Sequence, residues 1–292
     1  MSDTRLNLSA GFASVSVALV LVIAKLWALS ATQSLSIAAS LADSGLDLMM
    51  ALGGLAAIYY ASRPPDEEHT FGHTSAEDLA ALGQSAFILI SAGLIAIAAF
   101  ARLTNPSAVQ VTSESQGIAV MVLSIVLTGA LVLWQRHVIA STGSKVVAAD
   151  SLHYLADLIP NVGAILALIA SAAFGLTMID SVVALGAAAL LAIGALKIGK
   201  RAWDALMDRA APDDMLDGIA EITDAHEGVR GHHDLKTRMA GSKVFVNLHI
   251  ELDGEQSLRE AHDIGAALRR KILEAYPKAD VIIHKDVAGD RD

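Results

Sequence analysis

The 292-residue chain contains no cysteine. Disulfides and thiolate metal sites are therefore excluded, and any borderline metal must be held by imidazole and carboxylate. Basic residues are scarce: 21 Lys and Arg face 31 Asp and Glu, a formal net charge of −10. A nucleic-acid binder would show the opposite balance, so no nucleic-acid partner is expected. No Walker A sequence is present, which removes ATP as the expected energy source, and no G-x-S-x-G elbow supplies a nucleophile. The stretch from His226 begins like the zinc-protease motif H-E-x-x-H but closes on Arg230, so that chemistry fails too. Charged residues make up only 18% of the chain against 54% hydrophobic ones, with a mean hydropathy of +0.51. An ordinary soluble domain is less apolar; a polytopic protein surrounded by membrane lipid fits. The N-terminus has neither a lysine-rich start nor a small-residue cleavage site, so a cleaved signal peptide is not expected.

What is present divides at about residue 210. Six apolar segments, each near the ~20 residues that cross a bilayer, are expected at about 9–30, 35–61, 79–101, 115–135, 147–174 and 178–198. Small residues inside them, as in GGLAA and GAAALLAIGA, suit helices packed closely in lipid. If the spans alternate, Arg5, Arg63, Arg136, Lys145, Lys197, Lys200 and Arg201 fall on one side and only Arg102 on the other. Both termini are then cytoplasmic. Lys25 lies inside the first span, where a stem snorkelling to the interface is the plain expectation.

Residues 211–292 are charged and read as a separate cytoplasmic domain. DDMLDGIAEITDAHEG has helical periodicity, and KVFVNLHIEL alternates, with Val244, Val246, Leu248, Ile250 and Leu252 on one face. SLREAHDIGAALRRKILEAYP is a second amphipathic helix ended by Pro277, and ADVIIHKD is a last strand. With HDLKTRM as first strand the order is helix, strand, strand, helix, strand, an α+β domain with one sheet.

Three constellations carry chemistry. Asp43 and Asp47 in the second span, and His153 and Asp157 in the fifth, are each four apart and so project from one helix face. Two facing helices would offer three carboxylates and an imidazole, a tetrahedral N/O set that favours zinc-like metals over Mg2+ or Ca2+. Unpaired charge at this depth costs at least ~3 kcal/mol, and a dication or protons supply the compensation. Asp150 precedes the apolar run and reads as a helix-end charge. Second, Asp66, His69 and His73 sit in a loop at spacings that fit one helical turn, against the alternative of a solvated acidic loop. Third, His232, His233, His249, His262, His284 and Asp286 crowd the cytoplasmic domain, against the alternative of scattered surface histidines.

Taken together, D-x3-D in the second span, H-x3-D in the fifth, HTFGH…AED, MDRAAP, IIHKD and the C-terminal element order resemble the cation diffusion facilitator family, closest to its bacterial zinc and ferrous-iron efflux members. The resemblance covers nearly the whole chain. It implies a six-span transporter in the bacterial inner membrane, not an enzyme: a homodimeric antiporter that exports Zn2+ against protons. It also implies roles. Asp43, Asp47, His153 and Asp157 correspond to the transport site, and Asp66, His69 and His73 to a loop site. His233, His249, His262, His284 and Asp286 correspond to a two-metal site of structural and regulatory Zn2+ in a metallochaperone-like domain, with His232 or His233 as the ligating member of its pair. One departure is Ser75, where relatives often carry a lysine that pairs with an acid matching Asp208; either the spans are held more loosely here or another basic residue such as Arg209 takes part. Fe2+, Cd2+, Co2+ and Mn2+ stay open as substrates. A rival from another class is a membrane-anchored metal sensor whose spans do not transport.

Overall fold

The computed structural model describes residues 3–32, 35–104, 115–158 and 179–289. The apolar runs fold as long helices: α1 (Asp3–Thr32), α2 (Leu35–Ala61), α3 (Ser75–Thr104), α4 (Ser115–Thr142), α5 (residues 145–158) and α6 (Ile179–Leu206). The expected continuation of the fifth span to 174, with Pro160, lies outside the described residues. Among the described residues four helices are long and apolar enough to cross a membrane, within α1, α2, α3 and α4, with mean hydropathies from 1.3 to 2.2. Helices overshoot the apolar windows because charged ends remain helical in water. Thus α3 begins at Ser75 with Glu77 and Asp78 in its first turn, where the helix dipole favours them.

The α4–α5 connection is a two-residue turn. Gly143, at φ 69°, donates its N–H to the Ile139 carbonyl at 2.8 Å and closes α4 in the left-handed conformation that glycine adopts without strain. Ser144 then caps α5, its Oγ accepting the Val147 N–H at 3.4 Å.

Helix α5 sits at the centre. Val146 and Val147 pack with Ala10 of α1, Ile58 of α2 and Val138 of α4. Ala156 packs with Ile88 and Ala92 of α3 and Leu191 and Ala195 of α6. Small residues permit this closeness: a Cβ on Gly199 of α6 would stand 2.7 Å from Ser85 Oγ of α3. On the outside, Ile90, Leu94 and Ile97 of α3 form a stripe 63–68% exposed, a surface stable only against lipid or another apolar face.

The chain divides into two compact units, Met1–Trp203 and Asp204–Asp292. The second contains α7 (Asp213–Asp224), β1 (Gly231–Ala240), β2 (Lys243–Leu252), α8 (Leu258–Ala275) and β3 (Ala279–Val287). β1 pairs antiparallel with β2 through a tight turn, and β3 pairs parallel with β2, which requires the crossover that α8 provides. Val244, Val246, Leu248, Ile250 and Leu252 are all buried and pack on Ile219 of α7 and Leu268 and Ile272 of α8. A capping box between Ser257 and Glu260 starts α8, and it ends two residues before Pro277. Asp208 pairs with Arg238 at 3.2 Å within this unit, and Arg209 with Asp204.

Candidate metal transport site

Asp47 of α2 and His153 of α5 meet across the bundle. His153 Nε2 lies 3.1 Å from Asp47 Oδ1, and both side chains are buried. One ligand atom from each of Asp47, His153 and Asp157 lies within 4.8 Å of the others, so a single ion can touch all three. The backbone of Asp43 continues α2 one turn away; its side chain lies outside the described residues. Phe87 of α3 packs edge-on to the His153 ring at 5.8 Å between centroids and helps fix its plane.

A cavity of about 110 Å³ opens beside these donors, walled by Lys25, Ser44, Asp47, Ser124, Thr128 and Asp157 among others. Its wall lies toward the α1 C-terminal and α2 N-terminal end of the bundle. Toward the opposite end the donors are covered by side chains: Tyr154, which also lines the cavity, donates its hydroxyl to the Ser14 carbonyl at 3.2 Å and packs with Leu131 and Val132.

Two sequence expectations need correction here. Asp150 is not a helix-end charge. Helix α5 starts at residue 145, so Asp150 lies in its second turn and is 7% exposed. Its Oδ2 accepts from Ser14 Oγ at 2.5 Å and Gln135 Nε2 at 2.7 Å, tying α1 and α4 to α5. Lys25 does not snorkel outward: its Nζ donates to Ser44 Oγ at 2.6 Å, in the cavity wall. Neither partnership has a short-range sequence signal, since each joins separate helices.

Asp66, His69 and His73 converge, but not on a helix. Pro64 and Pro65 stop α2 from continuing, and the loop folds back so that Asp66 Oδ1 accepts the backbone N–H groups of Glu68 and His69. The His69 N–H holds the Asp66 carboxyl below its usual range. His73, buried and edge-on to Tyr60, places Nε2 3.1 Å from Asp66 Oδ2, and ligand atoms of all three residues lie within 4.8 Å of one another.

In the second unit the strand register brings His233, His249 and His284 into one row across β1, β2 and β3. Asp286 serves all three: Oδ2 is 2.9 Å from His249 Nδ1 and 3.4 Å from His233 Nε2, and Oδ1 is 3.1 Å from His284 Nε2. A bulge between His233 and Lys236 adds one residue to β1 at this point. His232 turns away to Asp224 of α7 at 2.7 Å, so His233 is the member of that pair that joins the group. His262 is exposed on α8 and falls outside the group formed by His233, His249 and Asp286. Glu251, 3.4 Å from His233 Nδ1, is an acid that the sequence reading missed; its place beside the row follows only from strand pairing.

Comparison with known proteins matches residues 11–207 to the cation efflux transmembrane domain and residues 211–287 to the cation efflux protein cytoplasmic domain. The chain belongs to the cation efflux family. This family member is a multi-pass metal transporter rather than an enzyme. It is 42% identical over 282 residues to the cation-efflux pump FieF of Cronobacter sakazakii, covering 97% of this chain and 93% of that one. It is 39% identical over 282 residues to the corresponding pump of Serratia proteamaculans, with the same coverage. The metal-bound C-terminal domain of the CzcD transporter from Thermotoga maritima matches 27% of this efflux protein and 93% of that chain, at 30% identity and a TM-score of 0.26.

Proposed function

We propose that this cation efflux protein exports Zn2+ from the cytoplasm in exchange for protons, as a six-span homodimer of the bacterial inner membrane with both termini cytoplasmic. The convergence of Asp47, His153 and Asp157 beside a cavity in the helix bundle carries the proposal. One imidazole with carboxylates suits Zn2+, and Fe2+, Cd2+ and Co2+ after it; an all-oxygen site would suit Mn2+ or Mg2+. Asp43, one turn before Asp47, completes a four-donor set.

The asymmetry of the bundle supports alternating access. The donors adjoin a cavity toward the outer end and are sealed by Tyr154 and the Ser14–Gln135–Asp150 contacts toward the inner end. Facing the cytoplasm, neutral His153 and ionised Asp43, Asp47 and Asp157 bind the metal. Facing outward, protons take its place on the imidazole and one or more carboxylates. A protonated donor cannot coordinate, so the two cations exclude each other and their fluxes couple. The loop group of Asp66, His69 and His73 is a metal-gathering site, and the His233–His249–His284–Asp286 group, with His262, is a regulatory Zn2+ site that strengthens the dimer.

Zinc flux in proteoliposomes under an imposed pH gradient tests the reading. The parent is expected to exchange Zn2+ for protons, and Asp157→Ala to fall to the leak of empty vesicles. Unchanged exchange by Asp157→Ala would overturn the transport site.

A further inference from the structure

Lys25 places a fixed positive charge in the wall of a cavity whose other function is to hold a cation. Its ammonium donates to Ser44 Oγ at 2.6 Å, and Ser44, 1% exposed, stands one turn before Asp47 on α2. Lys25, Asp47 and Asp157 line the same cavity of about 110 Å³. A lysine in a span normally runs its stem to the interface to keep its head wet. Here the head is held at the carboxylates' level, where charge is costly unless it meets a counter-charge or water.

Two electrostatic effects follow, with the same sign. With the cavity empty of metal, the ammonium eases the mutual repulsion of the carboxylates and stabilises that state. With a dication bound, the ammonium repels it. Both weaken binding. The repulsion scales with the charge of the occupant, so a dication is penalised more than a proton on the same carboxylates.

We propose that Lys25 is a resident counter-cation of the transport cavity: it lowers the affinity for the divalent ion so that metal leaves, and tilts the competition toward protons. The proposal rests on Asp47, His153 and Asp157 being the transport site.

The test is an equilibrium Zn2+ titration of the purified full chain, carrying Asp66→Ala and Asp286→Ala throughout so that binding in the bundle dominates. Lys25→Met is expected to bind Zn2+ about tenfold more tightly than the parent, and Lys25→Arg within about twofold of it. Lys25→Gln, which keeps a donor for Ser44 without charge, serves if the Met variant does not fold, and is expected to tighten binding as well. Equal or weaker binding by the neutral variants overturns the proposal, provided Asp47→Ala strongly weakens the binding measured. If Asp47→Ala leaves the titration unchanged, the transport-site reading itself fails, and the role of Lys25 falls with it.

Discussion

His153 Nε2 stands 3.1 Å from Asp47 Oδ1, a contact between residues 106 positions apart that joins α5 to α2 at the candidate site. Removing either member takes away a donor and leaves its partner buried without the contact. Asp47→Ala and His153→Ala are each expected to lower apparent metal affinity by on the order of a hundredfold, the upper end of the ~10–100-fold typical of losing an outer-shell partner. Phe87→Leu, which alters only the packing on the ring, is expected to cost far less. Initial zinc flux in proteoliposomes as a function of metal concentration separates the three.

Asp150 tests the contacts that tie α1 and α4 to α5. Asp150→Ala leaves Ser14 Oγ and Gln135 Nε2 without their buried acceptor, and is expected to destabilise the bundle by about 1–3 kcal/mol. Asp150→Asn keeps one acceptor oxygen and should lose less. Thermal unfolding in detergent measures both, and an Ala variant melting with the parent would mean that the buried contacts contribute nothing.

Asp286 is the shared acceptor of His233, His249 and His284. Asp286→Ala is expected to remove most metal binding by the cytoplasmic unit, while His262→Ala, outside the group formed by His233, His249 and Asp286, leaves more of it. Metal titration of the full chain in an Asp47→Ala, Asp66→Ala background reads this difference.

His226 gives the cytoplasmic unit a pH dependence of known sign. Burial first, and Lys271 second, lower its pKa from the ordinary 6.5. As pH falls below about 6.5 the unfolded chain takes up the proton before the folded one does. Stability is therefore highest above that value and declines through the window down to the folded pKa. Thermal unfolding of a fragment spanning Asp204–Asp292, which has its own core, should show that decline, and His226→Gln should flatten it.

Periodicity made much of this architecture legible. The buried face of β2, from Val244 to Leu252, follows from strict alternation, and the shared helix face of His153 and Asp157 follows from their four-residue spacing. Depth was not legible. Asp150 looked terminal because the apolar run starts after it, whereas Gly143 and Ser144 start the helix five residues earlier. The loop donors converge through a carboxylate-capped turn rather than a helix, because the Asp66 side chain takes the Glu68 and His69 N–H groups and offers the backbone a local alternative to the helix. Lys25 and Glu251 owe their positions to cross-helix and cross-strand partners, which no local pattern encodes.

The two-residue turn at Gly143 also sets a mechanical scale. It pins the residue-145 end of α5 to α4, so a rigid tilt of α5 would pivot about ten residues, or roughly 15 Å, from His153. A tilt of about 10° about that pivot would sweep the imidazole by roughly 2.5 Å, more than a whole zinc–nitrogen bond of ~2.0–2.1 Å. Coordination spanning α2 and α5, as proposed, would thus be broken by a rotation small enough to leave the packing near the pivot undisturbed.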